Sequence, residues 1–404
     1  MYGNINPNVS VVSRTAVLTF AGIIFILSLF TPGVLSEVVG PSLIILSVML
    51  MCFIPICIPK VVLVGKRAEV VFFKRFLVSI LLLVFLASVI TTYQVYIGES
   101  KFASYFDCFK FLVYFCPMLV LFCLRQQDVA FSRLITVKIL SIYLYISLFF
   151  IMLQMLYPSL GVWLFFSEGG HYKYLSSRPF GLNGSPTQSS FLLIFISFFF
   201  LVHRRFVSYF FCGVCLLLIQ NKLTIVLFFF SFFSFVFKAS VSPYLKLVFT
   251  FCVLCLAVLV VSSSPMLHSF VFDSNRLVES NTYTHRAEMI SYLYDGLYDF
   301  KFFFTGFPDK SYWASEFGAF DMLYALLGFR FGIFFMIVFF LFVVLFSKKA
   351  FRGAELFVFL LFLIGTSGTM AGIFHTRYGV AWAWIITFCY VTSKQMRRVN
   401  DGKS

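Results

Sequence analysis

Arg178, Arg276, Arg286 and Arg377 are the side chains in this sequence best suited to hold an anion, and Asp321 is the one best suited to take a proton. A guanidinium presents a planar fork of donors that matches phosphate oxygens two at a time. Helical spacing from Thr284 to Phe300, with Thr284 as N-cap, puts Arg286 in a first helical turn. A cation there opposes the helix dipole, so helix stability does not account for it. An arginine beside the free N–H groups of a helix start suits a phosphate. Arg276 lies ten residues upstream. Arg178 stands in Ser-Ser-Arg-Pro-Phe-Gly-Leu-Asn, just before a helix expected to begin near Pro186. Arg377 is fixed by a tight turn that also carries His375. Asp321 precedes the apolar run Met-Leu-Tyr-Ala-Leu-Leu, where an idle charge is costly. Partial burial raises a carboxyl pKa and suits it to general-base work. Glu288, Glu316, His285 and His375 are alternates. Each of these residues also fits a plainer role. An interfacial arginine snorkels to lipid phosphate or pairs with an acid, and an acid at a helix start favours the dipole.

The elements that must position these residues are overwhelmingly apolar. The chain has 404 residues, of which 61% are hydrophobic and 12% charged, with 60 phenylalanines, and this lies far outside soluble norms. Twelve runs long enough for about 30 Å of hydrocarbon fall at 15–31, 41–59, 76–97, 109–124, 139–157, 187–202, 206–220, 223–237, 245–261, 331–346, 355–373 and 378–392. An all-α polytopic membrane protein with about twelve transmembrane helices is therefore expected, as one integral domain over 1–404. The polar start MYGNINPNVS lacks a charged n-region and cleavage site, so the first run is expected to remain in the protein.

Charge fixes the expected sidedness. A single helix over 206–237 would be about 48 Å long, too long without strong tilt, so a hairpin is expected there. With that hairpin and an inside N-terminus, 20 of the 31 basic residues and 4 of the 16 acids fall inside, a net +16. The remaining 11 basic and 12 acidic residues fall outside, a net −1. The net charge of +15 is thus a cytoplasmic lining that meets anionic lipid, not a nucleic-acid patch. Both termini are expected in the cytoplasm. The segments 158–186 and 262–320 become outer loops, which in a bacterium means periplasmic. The larger one is expected to hold an amphipathic helix with Met289, Leu293, Leu297 and Phe300 as its apolar stripe. After it, residues 320–327 read as a short interfacial helix before the break Gly328-Phe-Arg330-Phe-Gly332.

Metal and nucleotide chemistry have no sequence support. The pairs Cys212/Cys215 and Cys252/Cys255 have helical i, i+3 spacing within apolar runs and no His or acidic company, which fits small apolar filler. There is no clustered-carboxylate spacing and no Gly-rich phosphate loop. No cofactor is expected.

Three features resemble the bacterial O-antigen polymerases of the Wzy type and the wider O-antigen polymerase/ligase superfamily. One is the element Arg178-Pro-Phe-Gly181-Leu-Asn183-Gly-Ser-Pro186 opening a helix. Another is the large outer loop in which Arg286 leads an amphipathic helix. The third is the exit segment Asp321-Met-Leu-Tyr-Ala-Leu-Leu-Gly328-Phe-Arg-Phe-Gly332-Ile. The resemblance implies a GT-C-like helical bundle in the bacterial inner membrane. It implies a metal-independent glycosyltransferase that joins undecaprenyl-diphosphate-linked oligosaccharide units on the periplasmic face, in lipopolysaccharide biosynthesis. Arg286 and Asp321 would be catalytic, and Arg178, Arg276, Arg377 and His375 would bind substrate. Beyond the lipid-linked oligosaccharide and membrane lipids, a chain-length regulator protein is an implied partner. The ligase branch places a His-Asn pair where this chain has Phe320-Asp321, which favours polymerase over ligase. A transporter or flippase is the alternative of another class. Its usual two related halves are not matched here, since the link between the sixth and seventh runs is only about three residues.

Overall fold

A computed structural model of the chain describes residues 7–31, 67–114, 126–157, 179–183, 186–238, 281–307, 322–368 and 378–389, with five further positions between 42 and 49. Among these residues every regular element is helical. The first helices are α1 (Pro7–Phe30), α2 (Arg67–Tyr96), the short α3 (Tyr105–Phe109) and α4 (Gln126–Leu156). Next come α5 (Pro186–Val202), α6 (Phe206–Ile219) and α7 (Lys222–Lys238). Then follow α8 (Asn281–Asp295), α9 (Phe300–Thr305) and α10 (Leu323–Phe331). Last are α11 (Ile333–Ala350), α12 (Ala354–Ser367) and α13 (Tyr378–Cys389).

Val78–Tyr96 within α2 and Leu134–Leu156 within α4 are long and apolar enough to cross a membrane. Seven shorter apolar helices of 10–17 residues accompany them. The architecture is compatible with a helical membrane protein. Helices α2 and α4 begin well before the runs at 76–97 and 139–157. Lys, Arg, Glu and Gln are good helix formers, so the backbone ladder continues past the apolar window that marked them. The run at 245–261 lies outside the described residues, as do most of 41–59 and the end of 109–124. Where 109–124 begins, the chain makes a 3₁₀ turn, Lys110–Tyr114, and not the start of an α-helix.

The centre of the bundle is α5. Every residue from Ser189 to Val202 is buried, because its neighbours α4, α6, α7 and α12 enclose it. A helix that is apolar all round requires such enclosure. Its serines close their own hydrogen bonds, Ser190 Oγ donating to Pro186 O at 2.7 Å and Ser197 Oγ to Ile194 O at 2.7 Å. Phe195 meets Phe362 of α12 and Trp382 of α13 edge to face, at 6.2 and 6.1 Å between ring centres. Helix α13 is buried along its whole length and reaches α1 through Trp384 and Phe25.

The hairpin expected over 206–237 is present. Gln220 adopts a left-handed φ of 60° and its N–H caps α6 on Leu216 O and Leu217 O, so α7 can start at Lys222. Tyr209 stacks on Phe228 at 4.4 Å and shares a 2.8 Å hydrogen bond with Ser231 Oγ, which closes the pair. At the preceding corner His203 is buried against the Phe199 ring at 4.2 Å, while Arg204 and Arg205 are exposed.

The outward surfaces of α2, α4 and α11 carry apolar stripes. On α2, Val78, Leu82, Phe85 and Val89 are exposed, and on α4, Ile142, Tyr145, Phe149, Met152 and Leu156 are exposed. Helix α11 shows Phe334, Ile337, Leu341 and Leu345 in the same way. The i, i+3, i+4, i+7 spacing of each set makes one continuous face. Contiguous apolar patches of this length are not left in water by soluble proteins.

Candidate functional site

The segment 281–307 folds as two helices and not as one amphipathic helix over 284–300. Helix α8 starts at Asn281 and ends at Asp295. Gly296 ends the ladder by donating to Tyr292 O at 2.9 Å. Asp299 then caps α9, accepting from Lys301 N at 2.9 Å and Phe302 N at 3.3 Å. A Gly three residues before an Asp is a stop followed by a start, and that signal was present within the expected helix. The apolar stripe is correspondingly shorter. Met289 is fully buried against Met322, Ala325 and Phe329, with Leu293 beside it, whereas Leu297 and Phe300 are exposed.

This register also moves Arg286. It is the sixth residue of α8 and not part of its first turn, so the field of the helix start has faded there. The helix-terminus reason for an anion at Arg286 is therefore overturned. A different one replaces it. The side chain is half-buried, its Nε is out of reach of water, and that atom has no hydrogen-bond partner. A buried guanidinium donor without an acceptor is costly and demands an explanation. Leu293 sits over Gly328, where a Cβ would collide with it, and Met289 sits beside Met322 and Ala325. Arg286 precedes Met289 by three residues and Leu293 by seven, on the same face of α8.

Helix α10 is the short helix expected before the Gly-rich break. Its C-cap, Gly332, has φ of 89°, and a Cβ there would lie 2.7 Å from Phe303 O. Gly306 faces it, and Phe307 N donates to Phe329 O at 2.8 Å. Two glycines thus let the ends of α9 and α10 meet backbone to backbone. The last turn of α2 holds both ends. The Gln94 carboxamide nitrogen donates to Arg330 O at 3.0 Å and also to Thr305 O. The Arg330 side chain is buried, with Nε 3.1 Å from Asp107 Oδ2. That approach lies off the N–H direction, so it is an ion pair without a hydrogen bond, and Nη1 also lacks an acceptor. Arg330 Nη2 makes a long 3.4 Å contact to Ser104 O, and Lys110 shares Asp107 at 2.7 Å. Lys301 of α9 pairs with Glu99 at the surface, and the hydrogen bond it donates to Glu99 pushes the lysine pKa up. Gln94, Asp107 and Arg330 were not singled out from sequence. The available signal was a polar residue at the end of an apolar run and an arginine between two glycines.

A second polar cluster holds the segment after Arg178. Gln154 Oε1 accepts from Phe180 N at 2.8 Å and Gly181 N at 2.9 Å, and its Nε2 donates to Gly181 O at 3.0 Å. Ser189 Oγ donates to Phe180 O, and Asn183 Nδ2 donates to the Tyr143 hydroxyl. The Tyr378 hydroxyl lies 2.8 Å from Asn183 O and 2.7 Å from Gln188 Oε1, so two acceptors share its proton. Tyr378 directly follows Arg377, and this tie joins the stretches of chain that carry Arg178 and Arg377. The Tyr324 hydroxyl of α10 donates to Ile364 O of α12 at 2.6 Å.

Of the residues selected from sequence, Arg286 and the alternates His285 and Glu288 lie on α8, with Glu288 exposed. Arg178, Arg276, Asp321, His375 and Arg377 lie outside the described residues. Among the described residues no three His, Cys, Asp or Glu side chains converge as metal ligands. No family model matches this chain, and no curated protein matches it.

Proposed function

We propose that this chain is a membrane glycosyltransferase that polymerises undecaprenyl-diphosphate-linked O-antigen units on the periplasmic face of the bacterial inner membrane. The observation that carries this reading is Arg286, half-buried on an outer helix with a guanidinium nitrogen that no acceptor serves. A diphosphate supplies the missing acceptor, and an arginine in a poorly solvated place is where its charge is worth most. The twelve-span topology with both termini inside is supported by which helix ends meet. Gln94 with Arg330, Lys301 with Glu99, Gln154 with Gly181 and Tyr378 with Asn183 each join segments expected outside. Phe198 with Phe351 joins helix ends expected inside. The apolar stripes on α2, α4 and α11 would face lipid.

The reaction moves a growing chain from its carrier to the non-reducing end of a new unit. The acceptor hydroxyl oxygen bonds to the anomeric carbon as that carbon's bond to the diphosphate oxygen breaks. Undecaprenyl diphosphate leaves with the bonding electron pair, and the acceptor proton passes to Asp321 or to His375. Arg286, with Arg178, Arg276 and Arg377, neutralises the leaving diphosphate. No metal is needed for that charge balance. The direct test is turnover by the purified full chain in lipid with undecaprenyl-diphosphate-linked units. Products longer than the input support the proposal. Units carried across the bilayer without lengthening would make the protein a transporter.

A further inference from the structure

We propose that Gln94 and Arg330 are positioning residues for Arg286, acting through α10 without touching substrate. This rests on the diphosphate reading of Arg286. Helix C-termini leave backbone carbonyls without partners, and here one carboxamide serves two helices at once. Gln94 reaches Thr305 O, the last residue of α9, and Arg330 O, in the last turn of α10. Its own Oε1 is buried without a partner, so only its two donor hydrogens are used. The residue is fully buried near the end of the apolar stretch Val78–Tyr96, where a carboxamide is expensive unless it makes such bonds. Arg330 is gripped a second time through its guanidinium by Asp107, which fixes its rotation as well as its depth.

From that grip a stiff path leads to Arg286. Gly306 and Gly332 lock α9 to α10. Met322, Ala325 and Phe329 of α10 bury Met289 of α8, and Leu293 covers Gly328. Arg286 stands one helical turn before Met289, on the same face. The packing of Met289 and Leu293 on α10 couples the angle of α8 to α10, and α10 follows Gln94 and Arg330.

The test uses the full chain in lipid nanodiscs with the near-isosteric Gln94→Met. Backbone hydrogen exchange across 286–295 should rise about tenfold, the effect of losing one buried hydrogen-bonded restraint, while α5 is unchanged. Binding of undecaprenyl diphosphate should weaken by about tenfold. The decisive readout is coupling: Gln94→Met combined with Arg286→Ala should bind no more weakly than Arg286→Ala alone. Losses that multiply, or α8 exchange like that of the wild type, overturn the proposal. Should Arg286→Ala leave binding unchanged, the diphosphate reading fails, and the exchange result still decides the positioning role. If Gln94→Met does not fold, Arg330→Met takes its place. It removes the ion pair to Asp107 and should raise exchange in 286–295 by about threefold. No rise would overturn the proposal.

Discussion

Gln94 and Arg330 are 236 positions apart in the chain and 3.0 Å apart in space, the carboxamide of one donating to the carbonyl of the other. The same arginine sends its side chain to Asp107, so the corner formed by α2 and α3 holds one residue of α10 by both backbone and charge. Helices α8, α9 and α10 are built on that corner, and α8 carries the half-buried Arg286.

Asp107 serves two cations, Arg330 at 3.1 Å and Lys110 at 2.7 Å, so its loss should cost more than the loss of either partner. Asp107→Ala leaves a buried guanidinium without a counter-charge and is expected to destabilise the protein by about 3 kcal/mol. Arg330→Met keeps the Lys110 pair and fills similar space, so it should cost clearly less. Thermal unfolding of the two variants in one detergent checks the order.

Gln154 makes three hydrogen bonds to the backbone of Phe180 and Gly181. Gln154→Leu strands buried amide groups, each worth about 1–3 kcal/mol, next to the segment that carries Arg178. The variant should show fast hydrogen exchange at 179–183 with an unchanged α6–α7 hairpin. Protection equal to the wild type would mean that other contacts hold the segment.

The Lys301–Glu99 tie predicts a one-sided pH dependence. The pKa of Lys301 is raised in the folded protein by its hydrogen bond to Glu99, so its contribution is complete below the ordinary lysine value. It fades as pH rises through the raised value. The stability margin of the wild type over Lys301→Gln should therefore be level up to about pH 10, near the unperturbed lysine pKa, and should vanish above the raised one. Both side chains are partly exposed, so added salt should shrink the margin at any pH. Unfolding midpoints across pH and salt provide the check.

Much of the bundle was legible because apolar length and turn chemistry are local. The limits of α5, α6 and α7 follow the apolar runs closely, and Gly332 ends α10 where the Gly-Phe-Arg-Phe-Gly break stands. Helices α2 and α4 were read too short because hydropathy marks hydrocarbon and not the end of a hydrogen-bond ladder. Helix α8 was read three residues late at its start and five too long at its end, because the periodic stripe outweighed Gly296 and the Asp299 cap. That error placed Arg286 at a helix terminus where it does not sit. The grip of Gln94 and Asp107 on Arg330 was not legible at all. Pairings between residues so far apart in the chain leave no periodic trace, and a lone Gln in an apolar run looks the same whether it caps two helices or faces lipid headgroups.

The central claim is polymerisation of lipid-linked units with Arg286 as the diphosphate ligand. It is tested most directly by the surface polysaccharide ladder of a strain that lacks this protein, complemented with the wild type or with Arg286→Ala. The account predicts lipopolysaccharide core capped by a single repeat unit in the deletion strain, a full ladder with the wild type, and single units again with Arg286→Ala. Core without any units in the deletion strain, or a full ladder with Arg286→Ala, would contradict it.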